Sequence, residues 1–117
     1  MYKIEFDDKA KLLTLTHWGF WDVDLVRTYT AELAAVMSSL RLRARNFNIL
    51  VDNRDFPVQS AEVLEAFGAV MVELQRPVGR TAILTANVLS KLQTKRLAAA
   101  ESVQIFFDEQ QARAWVA

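Results

Sequence analysis

The sequence contains no cysteine, a single histidine, three glycines and two prolines among its 117 residues. Without cysteine, neither a disulfide framework nor a thiolate metal site can form, and one histidine leaves no credible set of zinc ligands. The glycines Gly19, Gly68 and Gly79 lie too far apart for a glycine-rich phosphate loop. We therefore expect no cofactor and no metal.

Net charge and long apolar runs are also missing. The 14 basic residues balance the 14 acidic residues, so no global field attracts nucleic acid or anionic lipid. No apolar run approaches the ~20 residues of a membrane span, and the charged, alternating start MYKIEFDDKAKLLTL is unlike a signal peptide. We expect one soluble, cytoplasmic domain over residues 1–117, with no nucleic-acid partner.

The first forty residues predict a β-hairpin followed by a helix. YKIEF and KLLTLTHW alternate apolar and polar residues around the polar turn DDKA, which is typical of paired strands with one buried face. From Asp22, a good helix N-cap, the period changes to that of a helix that ends near Arg41, Arg43 and Arg45. These arginines complement the helix dipole, which we favour over nucleic-acid binding. The residues expected to face the core are Tyr2, Ile4, Phe6, Leu13 and Leu15 from the hairpin, and Val26, Tyr29, Leu33, Val36 or Met37, and Leu40 from the helix.

The rest of the chain alternates strands with helices. FNILVD predicts a buried strand, and a second helix begins near Ser60 and stops at RPVG, where Pro77 cannot continue it. RTAILTA and VQIFF are two further strands, separated by a third helix capped by Asn87 and carrying Val88, Leu89, Leu92 and Leu97. DEQQARAWV predicts a last helix capped by Asp108. The fold class is therefore α/β, with one mixed, five-stranded open sheet covered by about four helices.

Three charged residues, Asp52, Arg54 and Asp55, are expected just past the carboxyl end of the central strand. Open α/β sheets bind ligands at this end, at a topological switch point, so the three residues are candidates for a ligand or partner site. The alternative is a loop stabilised by its own Asp–Arg pair.

The segment HWGFW places His17, Trp18, Phe20 and Trp21 around Gly19. Trp21 precedes the cap Asp22 and is expected to pack on the first turn of the helix as a hydrophobic staple. Strand alternation puts Trp18 on the face opposite His17, so we expect Trp18 to be the ring most available for contact. Trp18 and Phe20 are therefore candidates for a dimer interface, a partner surface or the mouth of a pocket, and the alternative is that they fill the seam between sheet and helix.

The element order, together with the hairpin, FNILVDNRDF, GRTAILTANVLSKLQTKR and VQIFFDEQQARAWV, resembles the SpoIIAA-like family. That family has a STAS-type fold and is related to the SEC14-like lipid-binding superfamily. The resemblance covers nearly the whole chain. It implies a non-enzymatic binding or regulatory module that recognises a protein partner, or, as the alternative, a carrier of a small apolar ligand or lipid.

In the best-known STAS proteins, a serine at the start of the helix after the central strand is phosphorylated to control partner binding. Ser60 matches that place, which makes it a candidate phosphorylation site, but Gln59, Ala61 and Glu62 depart from the Asp-Ser-[Ser/Thr]-Gly motif. An ordinary N-cap is the alternative role for Ser60. A hydrolytic triad of Ser60, His17 and an aspartate is not expected, because no Gly-x-Ser-x-Gly motif surrounds the serine.

Overall fold

A computed structural model describes residues 1–43, 46–75, 79–86 and 102–117. The described elements are the strands β1 (Tyr2–Asp7), β2 (Leu12–Trp18), β3 (Asn48–Asp55), β4 (Thr81–Thr85) and β5 (Val103–Phe106), and the helices α1 (Val23–Arg43), α2 (Ala61–Gln75) and α3 (Glu109–Val116). The α/β class and the five strands are confirmed. The described residues hold three helices rather than about four, and the helix expected from Asn87 lies outside the described residues.

The five strands form one sheet in the order β1-β2-β3-β4-β5. β1 and β2 are antiparallel, as the hairpin prediction requires, and β2, β3, β4 and β5 are parallel to their neighbours. β3 is therefore the central strand, and its residues Ile49, Leu50 and Val51 are all at most 2% exposed. A strand covered on both faces reads as an apolar run, which is why FNILVD lacks alternation.

Helices α1 and α2 cover one face of the sheet. Their buried rows, which include Val26, Tyr29, Leu33 and Phe67, pack with Leu13 and Leu15 of β2 and with Ile49 and Val51 of β3. The predicted inward positions of the hairpin are confirmed: Leu13 and Leu15 are fully buried, and Tyr2, Ile4 and Phe6 pack against the same cluster. This cluster is the main core, and α1 and α2 form the outer layer on this side.

Helix α3 packs on the opposite face. Ala112 and Val116 of α3 contact a second cluster that contains Leu50, Ala82 and Leu84. The Asp108 carboxylate accepts hydrogen bonds from the backbone N–H groups of Gln110 and Gln111, so the predicted cap of this helix is confirmed. None of the helices in the described ranges is long and apolar enough to cross a membrane.

Candidate functional site

The parallel strands β2 to β5 bring their carboxyl ends to one edge of the sheet. Trp18 ends β2 there, and Asp52, Arg54 and Asp55 lie at the same end of β3. The expectation that these three residues follow the strand was wrong, because β3 extends through Asp55. The register between the two strands shifts between Thr16 and Trp18, because β3 carries one extra residue there, and Trp18 then pairs with Asp55.

The strand order removes one reason for expecting a ligand beside Asp52. A switch-point crevice forms where neighbouring connections leave a strand in opposite directions. Here the connections from β2 to β3 and from β3 to β4 advance the same way across the sheet, so the order of the described strands does not reverse at β3.

Asp52 and Arg54 form the predicted local ion pair, and the structure extends it. The Arg54 guanidinium donates from Nε to Asp52 Oδ1 at 3.0 Å and from Nη2 to Asp52 Oδ2 at 2.8 Å. Arg54 Nη1 also lies 2.8 Å from Oε1 of Glu109, in the first turn of α3. Hydrogen bonding from Arg54 holds the pKa of the Asp52 carboxyl below its usual range. The network therefore fastens α3 to the central strand.

Ser60 caps α2, which is one of its two predicted roles. Its Oγ accepts a hydrogen bond from the Val63 backbone N–H at 3.3 Å, and its carbonyl accepts the Leu64 N–H at 3.0 Å. Ser60 is exposed. Its phosphorylation, the other predicted role, stays a prediction.

The buried amide of Gln59 joins the two loops that leave β2 and β3. Its Oε1 accepts the Trp21 backbone N–H at 2.9 Å, and its Nε2 donates to the carbonyl oxygens of Gly19 (3.2 Å) and Pro57 (2.7 Å). Gln59 is only 5% exposed. Gly19, with a φ of +76°, turns the chain between β2 and α1 in a conformation that side-chain-bearing residues rarely adopt. The segments around Phe20 and Val58 are thus held together by one side chain.

These clamped segments present apolar side chains to solvent. Phe20 is 76% exposed, and Trp18 and Val58 are each 38% exposed. We call Trp18, Phe20, Val58 and the neighbouring exposed Asp55 the carboxyl-edge surface. The prediction that Trp18 is the most available ring was wrong, because Gly19 turns the chain so that Phe20 points outward and Trp21 inward. Neither Trp18 nor Phe20 fills the seam between helix and sheet.

The seam is filled instead by a cluster of aromatic rings around His17. The rings of Trp21, Tyr29, Phe56 and Phe67 lie with their centroids between 4.9 and 5.9 Å from that of His17. Trp21 is 6% exposed and belongs to the same core cluster as Val26, in agreement with its predicted staple role.

His17 is the one buried group in this cluster that could titrate near neutrality. Its Nδ1 lies 2.7 Å from Asn53 Oδ1, and its Nε2 lies 2.6 Å from the Tyr29 hydroxyl. Burial lowers the pKa of His17 to about 4, and burial also raises the pKa of the Tyr29 hydroxyl. The ring is therefore neutral near pH 7, and the three polar groups satisfy one another within the core.

A groove of about 760 Å³ runs between α1 and α2 on the outer surface of the helical layer. Small apolar side chains line most of it, and charged side chains lie at the end nearer the helix N-termini. The lining includes Ala31, Ala34, Ala66 and Ala69, with Arg27 and Glu65 as two of the charged members.

Sequence reasoning did not identify Gln59 or Glu109 as members of this site. Their partners lie far away along the chain, and neither residue belongs to a motif. The one local signal was position: Gln59 directly precedes a predicted cap, and Glu109 directly follows one.

The described residues contain no group of three or more histidine, aspartate or glutamate side chains placed to hold a metal ion. A scan of protein-family models finds no match to the chain. A search of curated proteins likewise finds no match.

Proposed function

We propose that the protein is a non-enzymatic binding or regulatory module, of the SpoIIAA-like, STAS type, that recognises a protein partner through the carboxyl-edge surface. The observation that carries the proposal is the exposure of Phe20 on a segment fixed by the buried amide of Gln59. An exposed aromatic ring on a rigid support suits recognition, because little side-chain or loop entropy is lost on binding.

The composition of the surface fits a protein partner. Trp18, Phe20 and Val58 supply apolar contact area. Asp55, an exposed residue, pairs with Trp18 in the β-ladder. Protein interfaces combine an aromatic centre with a polar rim in this way. Ser60 directly follows Gln59, so phosphorylation of Ser60 would add negative charge beside this surface. In the regulatory version of the proposal, that charge controls partner binding.

Two further observations support a non-enzymatic role. His17 is enclosed by aromatic rings, and burial lowers its pKa to about 4, well below the value suited to a general base at neutral pH. The Ser60 Oγ accepts a backbone N–H in the cap and is not hydrogen-bonded to His17, whose partners are Asn53 and Tyr29.

The experiment compares two matched substitutions in affinity capture from a lysate of the source organism. Phe20→Ser should weaken capture of a specific protein, since loss of a central aromatic contact costs about 2 kcal/mol or more, roughly thirtyfold in Kd. Leu42→Ser removes similar apolar area at the far end of α1, where Leu42 is 87% exposed, and should leave capture unchanged. Equal capture by both variants would contradict the proposal.

The groove between α1 and α2 favours a second function, a carrier of a small apolar ligand or lipid. Its alanine-lined walls could accept an acyl chain. Native mass spectrometry separates the two functions. A retained small molecule that is lost from an Ala66→Asp variant would support the carrier, whereas Phe20→Ser should not affect it.

A further inference from the structure

The outer edge of β1 has no strand neighbour in the part of the chain that the structure describes. β1 lies at one end of the strand order and pairs only with β2 among the described strands. An edge strand of this kind carries a row of free N–H and C=O groups that another strand can pair with. Which residues carry the free groups follows from the hydrogen bonds between β1 and β2.

In an antiparallel pair, residues alternate between those that bond to the neighbouring strand and those that turn away from it. The Trp18 N–H donates to the Met1 carbonyl at 3.0 Å, and the terminal amino group of Met1 donates to the Trp18 carbonyl at 2.8 Å, so the two residues form a bonded pair. Alternation from this pair makes Lys3 and Glu5 the residues whose backbone bonds to β2. The N–H and C=O groups of Tyr2, Ile4 and Phe6 therefore point to the free edge.

A second observation gives the same alternation. The Asn48 N–H donates to the Lys11 carbonyl at 2.9 Å, so the backbone of Lys11 faces β3. Odd-numbered residues of β2 then bond to β3, and even-numbered residues, including Trp18, bond to β1.

The side chains of β1 select one way for two copies to pair. In a two-fold antiparallel pair, the residues with outward backbone groups, Tyr2, Ile4 and Phe6, must lie opposite the same three residues of the second copy. The two-fold axis must then pass through a residue rather than between two residues. With Lys3 on the axis, the two lysines face each other, and with Glu5 on the axis, the two glutamates do. With Ile4 on the axis, Lys3 faces Glu5 of the second copy, and Glu5 faces Lys3 of the second copy.

We propose that two copies of the chain pair through β1 in antiparallel register with the two-fold axis at Ile4, joining the sheets across the dimer. Tyr2, Ile4 and Phe6 of each copy then donate their N–H groups across the axis. Within one copy, Lys3 Nζ lies 2.9 Å from Glu5 Oε1, and both side chains are more than half exposed. Together with Lys3 and Glu5 of the second copy, they form a group of four charges of alternating sign. Tyr2 faces Phe6 of the second copy, an aromatic cross-strand pair that is favourable in sheets.

The charges also give the pairing its specificity. Charged side chains on an edge strand oppose pairing with most other strands. A strand with the opposite charges in reverse order complements Lys3 and Glu5, and β1 itself, in the register centred on Ile4, has that pattern. A second copy of the chain is therefore the partner that this edge fits.

Charge reversal tests the register in the full chain. Sedimentation equilibrium should give twice the 13.3 kDa mass of the chain for the wild type. Lys3→Glu or Glu5→Lys alone places like charges opposite each other at both symmetric positions, and the Kd of the dimer should rise by about tenfold or more. The double variant Lys3→Glu/Glu5→Lys restores opposite charges and should restore the dimer. Both positions are exposed, so the fold should survive in all three variants.

Disulfide trapping provides an independent test, because the chain contains no other cysteine. Lys3 and Glu5 of the second copy form a non-bonded pair, in which Cβ atoms are close enough for a disulfide. Oxidation of a mixture of Lys3→Cys and Glu5→Cys chains should give a cross-linked heterodimer, and each chain alone should cross-link far less. A wild-type chain that does not dimerise would overturn the proposal, and this holds even if another protein pairs with the edge of β1. A dimer whose Kd is unaffected by the single charge reversals would also overturn it.

Discussion

His17 on β2 and Asn53 on β3 lie on adjacent strands, with the ring Nδ1 2.7 Å from the amide Oδ1. The Tyr29 hydroxyl oxygen lies 2.6 Å from the other ring nitrogen, Nε2. A neutral imidazole supplies one donor and one acceptor, which matches an arrangement with an amide oxygen on one side and a hydroxyl on the other. The core is thus built around the uncharged ring.

The first prediction is a loss of stability in mild acid. The folded pKa of His17, about 4, lies below the ordinary value of 6.5 because burial disfavours the charged ring. The unfolded chain therefore binds this proton more readily than the folded chain. The contribution of His17 is fully present above pH 6.5 and is lost as the pH falls toward 4, for a total of about 3 kcal/mol.

Urea denaturation at pH 7 and pH 4.5 measures this loss. Asp52 and Glu109, whose pKa values are lowered mainly by hydrogen bonds from Arg54 and Arg113 respectively, lose their contributions only at lower pH. A His17→Gln variant should show a flatter dependence across the same interval. The single imidazole of the wild type can also be followed by NMR, and a midpoint near 6.5 in the folded protein would contradict the prediction.

The second prediction concerns Val51 on the central strand. Val51 is 2% exposed and packs in the main core, so Val51→Ala should lower the free energy of unfolding by about 1–3 kcal/mol through lost burial and a residual cavity. Val72, which is 60% exposed on α2, is the matched control, and Val72→Ala should change stability by less than ~0.5 kcal/mol. Equal effects of the two substitutions in urea denaturation would show that β3 is not central to stability.

The periodic elements of this fold could be predicted from the sequence because each buried face repeats with its own period. Leu13, Leu15 and His17 alternate along β2, and the predicted side of the strand is the buried one. The end of β3 could not be predicted in this way. Asp52 and Asn53 are polar, but their groups are satisfied by Arg54 and His17, so the strand continues beyond its apolar part.

The local parts of the candidate site were predictable, and the long-range parts were not. The cap at Ser60 and the Asp52–Arg54 pair involve residues two or three positions apart, which a sequence shows directly. The contacts of Gln59 with Gly19 and of Arg54 with Glu109 depend on how strands and loops meet in the fold. No composition or spacing rule predicts such long-range contacts.

The third prediction distinguishes the two roles of Ser60. Ser60→Ala should destabilise by ~1 kcal/mol because it removes the acceptor for the Val63 N–H, whereas Ser60→Asp should be nearly neutral because aspartate also caps helices. Ser39, an exposed residue inside α1, is the control, and Ser39→Ala should be neutral or slightly stabilising. If Ser60→Asp keeps full stability but abolishes capture of the partner, the phosphorylation role gains direct support. Unchanged stability of Ser60→Ala would contradict the capping role.

The fourth prediction concerns the clamp that supports the carboxyl-edge surface. Gln59→Glu keeps the shape of the side chain but replaces the donor Nε2 with an oxygen that faces the carbonyls of Gly19 and Pro57. A buried charge then meets two acceptors, and the free energy of unfolding should fall by about 2 kcal/mol or more. Gln110→Glu, on the exposed first turn of α3, is the matched control and should change stability by less than ~0.5 kcal/mol.

The clamp and the contact surface can then be separated by one pair of measurements. Phe20→Ser should weaken partner binding without loss of stability, because Phe20 is 76% exposed. Gln59→Glu should weaken both, because the segments that carry Phe20 and Val58 are no longer held together. Full stability of Gln59→Glu in urea denaturation would show that the amide does not fix these segments. Reduced stability with undiminished binding would show that the partner contacts another surface.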